Sequence, residues 1–486
     1  MTGRPLLALC LACLPAAAAG AEVPRDERPN VLFLIADDLR VEPDPSAVFT
    51  PALDRFARES LTFARAFCQI AVCGPSRASL LSGLRPDTTG IHENSQTLRK
   101  SRRPDVVTLP QHFKAHGYRT FSVGKVFHHE EIETGGDVRT RPGDDPHAWS
   151  EPPWHHGTPY RQWFTPASAE ARQKAAADKT RKIARGPAYE AAEQPDDVYP
   201  DGQIAAQAIA TLRRVKDERF FLAVGFRRPH LPFNCPAKYW HLYPTEKIRL
   251  PGNRHAPQNA PEVALHNAYE LRSYAGIPAT GPLSDHDAIE LIRGYRASVS
   301  YLDAQVGRVL DELETLGLTR RTIVVFTSDH GYHLGENGLW TKMSNFELAT
   351  QVPLLFRLPD DRARGRTTAA LVELVDLYPT LAELCGLPAP DHLEGRSAAP
   401  LFADPDAAWK HAVFSQFPRR IAGGTAMGHS VRTALFRYTE WQDAARSVEL
   451  YDLATDPFNA VNVANRSQYR DEIAALSETL RSAGSK

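Results

Sequence analysis

The sequence predicts an α/β fold, a central sheet of buried strands flanked by helices, with a smaller α+β subdomain at the C-terminus. Three observations predict it. Short, nearly unbroken apolar runs recur at 30–36, 118–123, 220–226 and 322–328, as strands covered on both faces require. Helical patterns separate these runs. After 404–409 the pattern changes to short strands, turns and one closing helix.

Size and composition are consistent with this. A chain of 486 residues with 42% hydrophobic and 24% charged side chains can bury one large core and a small one. The formal charge is −1, which excludes a general polyanion binder and so a nucleic-acid partner. Anion recognition must come from local basic groups.

The chain begins Met-Thr-Gly-Arg, continues as an apolar run over 6–19, and reaches small residues at Ala19–Ala21. This is the pattern of a cleaved secretory signal over 1–21. It implies the secretory route: periplasm, extracellular space or a lysosome-like compartment. The run is too short to span a bilayer comfortably, and no later segment reads as a span, so stable membrane insertion is not expected. Cys68, Cys73, Cys235 and Cys385 remain after cleavage. Their wide spacing is neither a disulfide framework nor a zinc pattern.

The strand at 30–36 ends in Asp37-Asp38. Two acids at the carboxyl end of a core strand occupy the usual place of a site in an α/β sheet. A helix over 50–60 carries Pro51 in its first turn. Cys73-Gly74-Pro75-Ser76-Arg77 then reads as a loop entering a helix that Gly83 stops. An anion is favoured at such a helix start, here beside Arg77. A helix over 107–114 leads to the strand at 118–123, which runs into Gly124-Lys125-Val126-Phe127-His128.

Residues 130–200 leave the core pattern. They are rich in Pro, Gly, Asp, Trp and His before an Ala/Lys/Arg-rich helical stretch at 168–184. A helix over 201–216 precedes the strand at 220–226, which opens into Arg227-Arg228-Pro229-His230-Leu231-Pro232. His230, held between two prolines, is a candidate to protonate a leaving oxygen. Residues 244–285 are irregular and carry no readable code. A long helix over 288–316 leads to the strand at 322–328, which ends in Asp329-His330-Gly331, with Lys342 shortly beyond. A strand at 353–356 and a helix from 374 complete a domain over 26–408. Strands at 412–416, 429–433, 436–439 and 449–453, then a helix over 468–482, form a subdomain over 409–486.

Asp37, Asp38 and Asp329 supply hard oxygen donors. Three converging acids repel one another unless cations lie between them. Oxygen-rich ligation favours calcium or magnesium over zinc.

Cys73-Gly-Pro-Ser-Arg77, continued by Ala-Ser-Leu-Leu-Ser-Gly83, resembles the signature of type I sulfatases. One departure is Leu84, where many members carry Arg; Arg85 follows at once. The resemblance implies an alkaline-phosphatase-like fold with a central mixed sheet. It implies that Cys73 is oxidised to formylglycine by a formylglycine-generating enzyme. One ion, calcium ahead of magnesium, would be held by Asp37, Asp38, residue 73, Asp329 and His330. The hydrated aldehyde would attack sulfur, and its second hydroxyl would let the product collapse to sulfate. Arg77 would hold the nucleophile, Lys125 and Lys342 the sulfate, and His230 or His128 would protonate the leaving group.

The segments around 122–128, 225–233, 298–307 and 327–336, with Arg85-Pro-Asp-Thr-Thr, are similar to the iduronate-2-sulfatase branch of that family. This implies an exo-acting 2-O-sulfatase on uronate-containing, glycosaminoglycan-like or algal saccharides, with Arg227 and Arg228 as partners for a sugar carboxylate. Two rival readings are a phosphodiesterase or phosphonate monoester hydrolase of the same superfamily and a non-catalytic secreted glycan-binding protein.

Overall fold

In the computed structural model, which describes residues 27–128, 145, 147–177 and 185–484, strand β1 (Asn30–Asp37) is buried along its whole length. The proposed signal over 1–21 lies outside the described residues. β1 has apolar side chains on both faces because both faces are covered by helices. One neighbour is β4 (Phe220–Pro229), also buried throughout, and the other is β5 (Thr322–Ser328). Both pair with β1 in parallel, and β3 (Arg119–Gly124) adds outside β4, again parallel.

The other half of the sheet is mixed. β7 (Leu354–Arg357) runs antiparallel between β5 and β2 (Leu61–Phe67). β6 (Gln351–Val352) and β8 (Thr367–Glu373) also pair with β2. The eight strands run β6-β2-β7-β5-β1-β4-β3, with β8 on β2. Sequence reading passed over β2 and β8. Their patterns, Leu-Thr-Phe-Ala-Arg-Ala-Phe and Thr-Thr-Ala-Ala-Leu-Val-Glu, mix exposed and buried positions, as edge-side strands do, so neither stands out as an apolar run.

Four helices matter to the site. α1 (Pro51–Arg58) has no cap from its own Thr50. Asp303 supplies the cap instead, accepting from the amides of Ala52 (3.1 Å) and Leu53 (2.7 Å). α2 (Cys73–Ser82) is buried at all ten positions and ends at Gly83, whose φ of 70° is left-handed. α3 (Pro200–Val215) and α4 (Asp285–Thr315) pack on one another beside β4. Ser284 caps α4 by accepting from the Asp287 amide. The helical stretch expected over 168–184 is seen as Pro166–Ala177, and 178–184 lies outside the described residues.

The C-terminal part is an antiparallel sheet of β9 (Ala412–Ile421), β10 (Gly424–Thr433), β11 (Phe436–Trp441) and β12 (Val448–Asp452), followed by α5 (Arg470–Gly484). Its strands run longer than the sequence suggested because β9 and β10 form a hairpin paired through Ile421 and Gly424. The sheet docks against the loops around α2. The Gln416 amide donates to Gln69 O (2.8 Å), and Ser415 Oγ donates to Cys68 O (2.6 Å). Buried Glu347 accepts from Arg432 and Arg437 of β10 and β11.

Parallel pairing places the site. The carboxyl ends of β5, β1, β4 and β3 lie on one edge of the sheet. Asp329, Asp37-Asp38, His230 and Lys125 follow those four ends directly, so a register that buries the apolar runs also gathers the polar tips. Two glycines permit the closest approach. A Cβ on Gly225 would lie 1.8 Å from Lys125 O, and one on Gly124 (φ 79°) 2.2 Å from Gly225 O.

Candidate active site

Cys73 opens α2 directly beneath the acid-tipped strands. Its Sγ lies 3.3 Å from His330 Nε2 and 3.7 Å from Asp38 Oδ1. Potential donor atoms of Asp37, Cys73, Asp329 and His330 lie within 4.8 Å of one another. All four side chains are buried. The Asp38 amide donates to Asp329 Oδ1 (3.1 Å), which ties the tips of β1 and β5 together. Asp38 adopts a left-handed φ of 69°, the turn that carries the chain off the strand end and across to Asp329.

The acids do not face one another alone. Lys125 Nζ lies 2.6 Å from Asp37 Oδ2, and Lys342 Nζ 2.8 Å from Asp38 Oδ2. Arg77 Nε donates to Asp329 Oδ2 at 2.9 Å. Three cations thus balance three carboxylates, so repulsion by itself does not require a metal ion. The stronger indication is Asp37 Oδ1, which is buried and accepts no hydrogen bond, although Arg77 Nη2 lies 3.5 Å away. A buried carboxylate oxygen without a donor is costly unless something else satisfies it. His330 adds a second indication. Its Nδ1 meets Gly331 O at 2.9 Å, and a carbonyl can only accept, so Nδ1 carries the proton. In the neutral ring the Nε2 lone pair then faces Cys73 and Asp38. The donor set fits a hard divalent cation.

Charge also governs the thiol. Burial and Asp37 push the Cys73 thiol well above its ordinary range, and Lys125 and Lys342 offset this only in part. A thiolate nucleophile is therefore disfavoured here. For Asp37, burial would raise the carboxyl, but Lys125, His230 and Arg77 outweigh it and hold it well below the usual range.

Arg77 is buried among the strand ends. Besides Asp329, its guanidinium donates to the backbone carbonyls of Lys125, Val126 (3.1 Å) and Ala36 (3.3 Å). It ties three strand ends together and fixes Asp329, which sets the pocket beside residue 73. His128 is half-buried. A Cβ on Gly74 would lie 3.5 Å from its Cγ, so His128 stands over the start of α2.

His230 sits in a rigid turn. Its Nδ1 meets Leu231 O at 2.6 Å, and its Nε2 lies 3.3 Å from Glu270 Oε1. Arg227 is buried with its guanidinium 4.5 Å from the centre of the Tyr160 ring. Arg228 is 1% exposed, and its guanidinium donates to the carbonyls of His230 (2.7 Å), Pro232 (2.8 Å) and Tyr160 (3.3 Å) and to Asn234. It clamps the His230 turn.

Three participants escaped sequence reading. Asp201, just inside the start of α3, accepts from the amides of Arg227 (2.7 Å) and Arg228 (2.8 Å) and so orients the turn. Asn94 Oδ1 accepts from the Gly74 amide (2.8 Å) at the head of α2. Glu270 joins the cluster from the irregular 244–285 segment, with Oε2 2.9 Å from Lys342 Nζ. Asp201 carried a signal, an acid directly after a helix-starting proline. Glu270 carried none.

A mixed sheet whose acid-tipped parallel strands meet a buried helix start has the alkaline-phosphatase-like fold. Residues 29–387 match the family model described as Sulfatase, and residues 335–486 match that of the N-sulphoglucosamine sulphohydrolase C-terminal region; the chain belongs to the sulfatase family and is a sulfatase enzyme. It is 35% identical to iduronate 2-sulfatase of Mus musculus, over 90% of this chain and 91% of that one. It is 34% identical to iduronate 2-sulfatase of Homo sapiens, over 97% and 98%. Among solved structures, phosphonate monoester hydrolase of Agrobacterium radiobacter superposes with a TM-score of 0.72 at 25% identity, over 94% of this chain and 96% of that one.

Proposed function

We propose that this sulfatase removes a 2-O-sulfate from the terminal uronate of a sulfated saccharide, using formylglycine at position 73 and one calcium ion. The observation that carries the reading is the position of Cys73 among three carboxylates at the ends of β1 and β5, two of them paired with the buried Lys125 and Lys342. Similarity to iduronate 2-sulfatases along nearly the whole chain supports the uronate. Asp37, Asp38, Asp329 and His330 would hold the ion, which when bound stabilises negative charge on the transferring group. Formylglycine supplies an oxygen nucleophile that can release sulfate afterwards, which a protonated thiol cannot.

The remaining roles follow from position. Lys125 and Lys342 pair with the sulfate oxygens, exchanging part of their contact with Asp37 and Asp38. Arg77 holds Asp329 and the strand ends rigid. His230 donates a proton to the sugar oxygen, and His128 closes the pocket over residue 73. Arg227 is the candidate partner for the uronate carboxylate. The maturation partner is a formylglycine-generating enzyme, and the route is secretory. The catalytic unit is 26–408 and the C-terminal unit 409–486. No helix among the described residues is long and apolar enough to cross a membrane.

The likeness to a phosphonate monoester hydrolase keeps a second reading in view, cleavage of phosphonate monoesters or phosphodiesters. The test has two parts. Mass measurement of the peptide across Cys73, from a host with the modifying enzyme, must show the thiol replaced by an aldehyde. Turnover of sulfated saccharides, including a 2-O-sulfated uronate disaccharide, is then compared with that of phosphonate and phosphodiester substrates. Higher efficiency on the phosphorus esters would overturn the sulfate reading, and an unmodified, fully active Cys73 would overturn the nucleophile.

A further inference from the structure

Glu270 stands apart from the acids on the strand tips. It follows Ala268, whose φ of 54° is left-handed, and sits in the short helical turn Tyr269–Arg272. Its side chain is only 11% exposed. One oxygen lies 3.3 Å from His230 Nε2 and the other 2.9 Å from Lys342 Nζ. Lys342 in turn reaches both Asp38 oxygens, at 3.0 and 2.8 Å. Glu270 thus contacts both the candidate acid and a candidate sulfate clamp.

We propose that Glu270 is a positioning residue: its carboxylate fixes the His230 ring through Nε2, the atom turned to the departing sugar oxygen, and braces it against Lys342. The argument is geometric. His230 Nδ1 meets the Leu231 carbonyl, so it keeps its proton and the transferable one belongs on Nε2. The Glu270 carboxylate beside Nε2 accepts from that N–H and fixes the ring plane. As the sulfur–oxygen bond to the sugar breaks, its electron pair stays on the sugar oxygen. That oxygen takes the Nε2 proton and leaves as an alcohol. Glu270 keeps its charge throughout. Its second oxygen meets Lys342 Nζ, which Asp38 also holds through both of its oxygens, so the sulfate clamp keeps its place when Glu270 is changed.

This inference rests on His230 being the acid, and the experiment separates the two claims. Two substrates are compared: the saccharide sulfate turned over fastest, whose alkoxide leaves poorly, and 4-nitrophenyl sulfate, whose phenolate needs no proton. His230→Ala is expected to slow the saccharide sulfate by about 100-fold or more and the aryl sulfate far less, the range general acids supply. Glu270→Gln is expected to show the same selectivity, with kcat on the saccharide sulfate down about 10- to 100-fold and the aryl sulfate within about threefold. Glu270→Asp, which keeps the charge, recovers most of the loss. In a His230→Ala background Glu270→Gln adds almost nothing, because residues acting as a unit are not additive.

A Glu270→Gln protein that slows both substrates equally, or adds its full effect to His230→Ala, overturns the proposal. A purely structural role would give that pattern together with a lower melting midpoint. If His230→Ala itself shows no leaving-group selectivity, the acid assignment falls, and the Glu270 proposal with it.

Discussion

Replacing Arg77 by Ala tests whether the acids at the strand ends depend on one buried guanidinium. Arg77 is 0% exposed. It donates to Asp329 Oδ2 and to three backbone carbonyls, and lies beside Asp37. Removing one member of a buried ion pair costs about 3–5 kcal/mol, because the partner is left charged and unpaired. Each orphaned carbonyl would add about 1–3 kcal/mol if it stayed dry, but the space vacated by the side chain admits water, so the lower figure governs. The unfolding entropy of a 486-residue chain is about 1 kcal/mol per degree, from roughly 2.1 cal/mol/K per residue. The expected fall in Tm is therefore about 3–5 °C. Activity falls further, because Asp329 and the ends of β1 and β3 lose their common anchor. Differential scanning calorimetry and sulfate release from the same preparation measure both. Arg77→Lys keeps a charge but cannot serve two acids and three carbonyls, so it should fall between Ala and wild type. An Arg77→Ala protein that melts within 1 °C of wild type and keeps its activity would refute the assignment of Arg77 as the brace of the acid cluster.

Three other outcomes follow from the same structure. Dialysis against a chelator should abolish activity and lower Tm by about 3 °C, since an ion at 100 times its Kd stabilises by about 2.7 kcal/mol; calcium should restore both more fully than magnesium, and indifference to chelation would remove the metal from the site. Glu373 is held down to about 2 from an ordinary 4.5: burial would raise it, but Arg85 and Lys410 prevail. With the folded value below the unfolded one, its stability is present above pH 4.5 and lost as pH falls toward 2. Lys410→Met should therefore move acid unfolding to higher pH, and circular dichroism across an acid titration checks it. Asp303 behaves oppositely: burial pushes it up to about 6 from 3.8, despite two amide donors. Stability is then greatest below pH 4 and declines by about 3 kcal/mol as pH rises through 6, at 1.36 kcal/mol per unit. Asp303→Asn should flatten that slope in denaturant melts taken between pH 4 and 7.

The legible parts of the fold were those where burial on both faces leaves one kind of residue. Val31–Ile35, Phe220–Val224 and Ile323–Phe326 are all within 1% of full burial, and their apolar runs stand out against any loop. The acids that end two of these strands were legible for the same reason, as a sharp break in hydropathy at a fixed edge. β2 and β8 were not, because half-exposed strands mix Arg, Thr and Ala with apolar residues. Arg228 was legible as a charge, but a sequence does not show the direction of that charge. The turn between Arg227 and Phe233 curls back on itself, and only coordinates show its carbonyls converging on that guanidinium. Glu270 was out of reach altogether. Its segment has no periodicity, and its partners lie at positions 230 and 342, joined to it only through tertiary contact.

That difference bears on how the site came to be divided. Cys73, the acids and Lys125 all hang from strand ends or from a fully buried helix, so their geometry follows from the packing of the sheet. Glu270 comes from a connection outside the sheet, anchored to the same core only through residues such as Ile248, Leu271 and Tyr274, and it touches two of the groups that would meet substrate. A change around Glu270 that leaves those anchors in place can therefore move it, and through it His230, without disturbing β1, β4 or β5. The sheet fixes the sulfate-transfer centre, while this segment adjusts how a leaving group is protonated. Grafting a different 244–285 segment that keeps Ile248, Ala268, Leu271, Tyr274 and Ile277 should accordingly shift preference among sugar sulfates while leaving hydrolysis of 4-nitrophenyl sulfate nearly unchanged. A graft that slowed aryl and sugar sulfates alike would show that the segment supports the core instead.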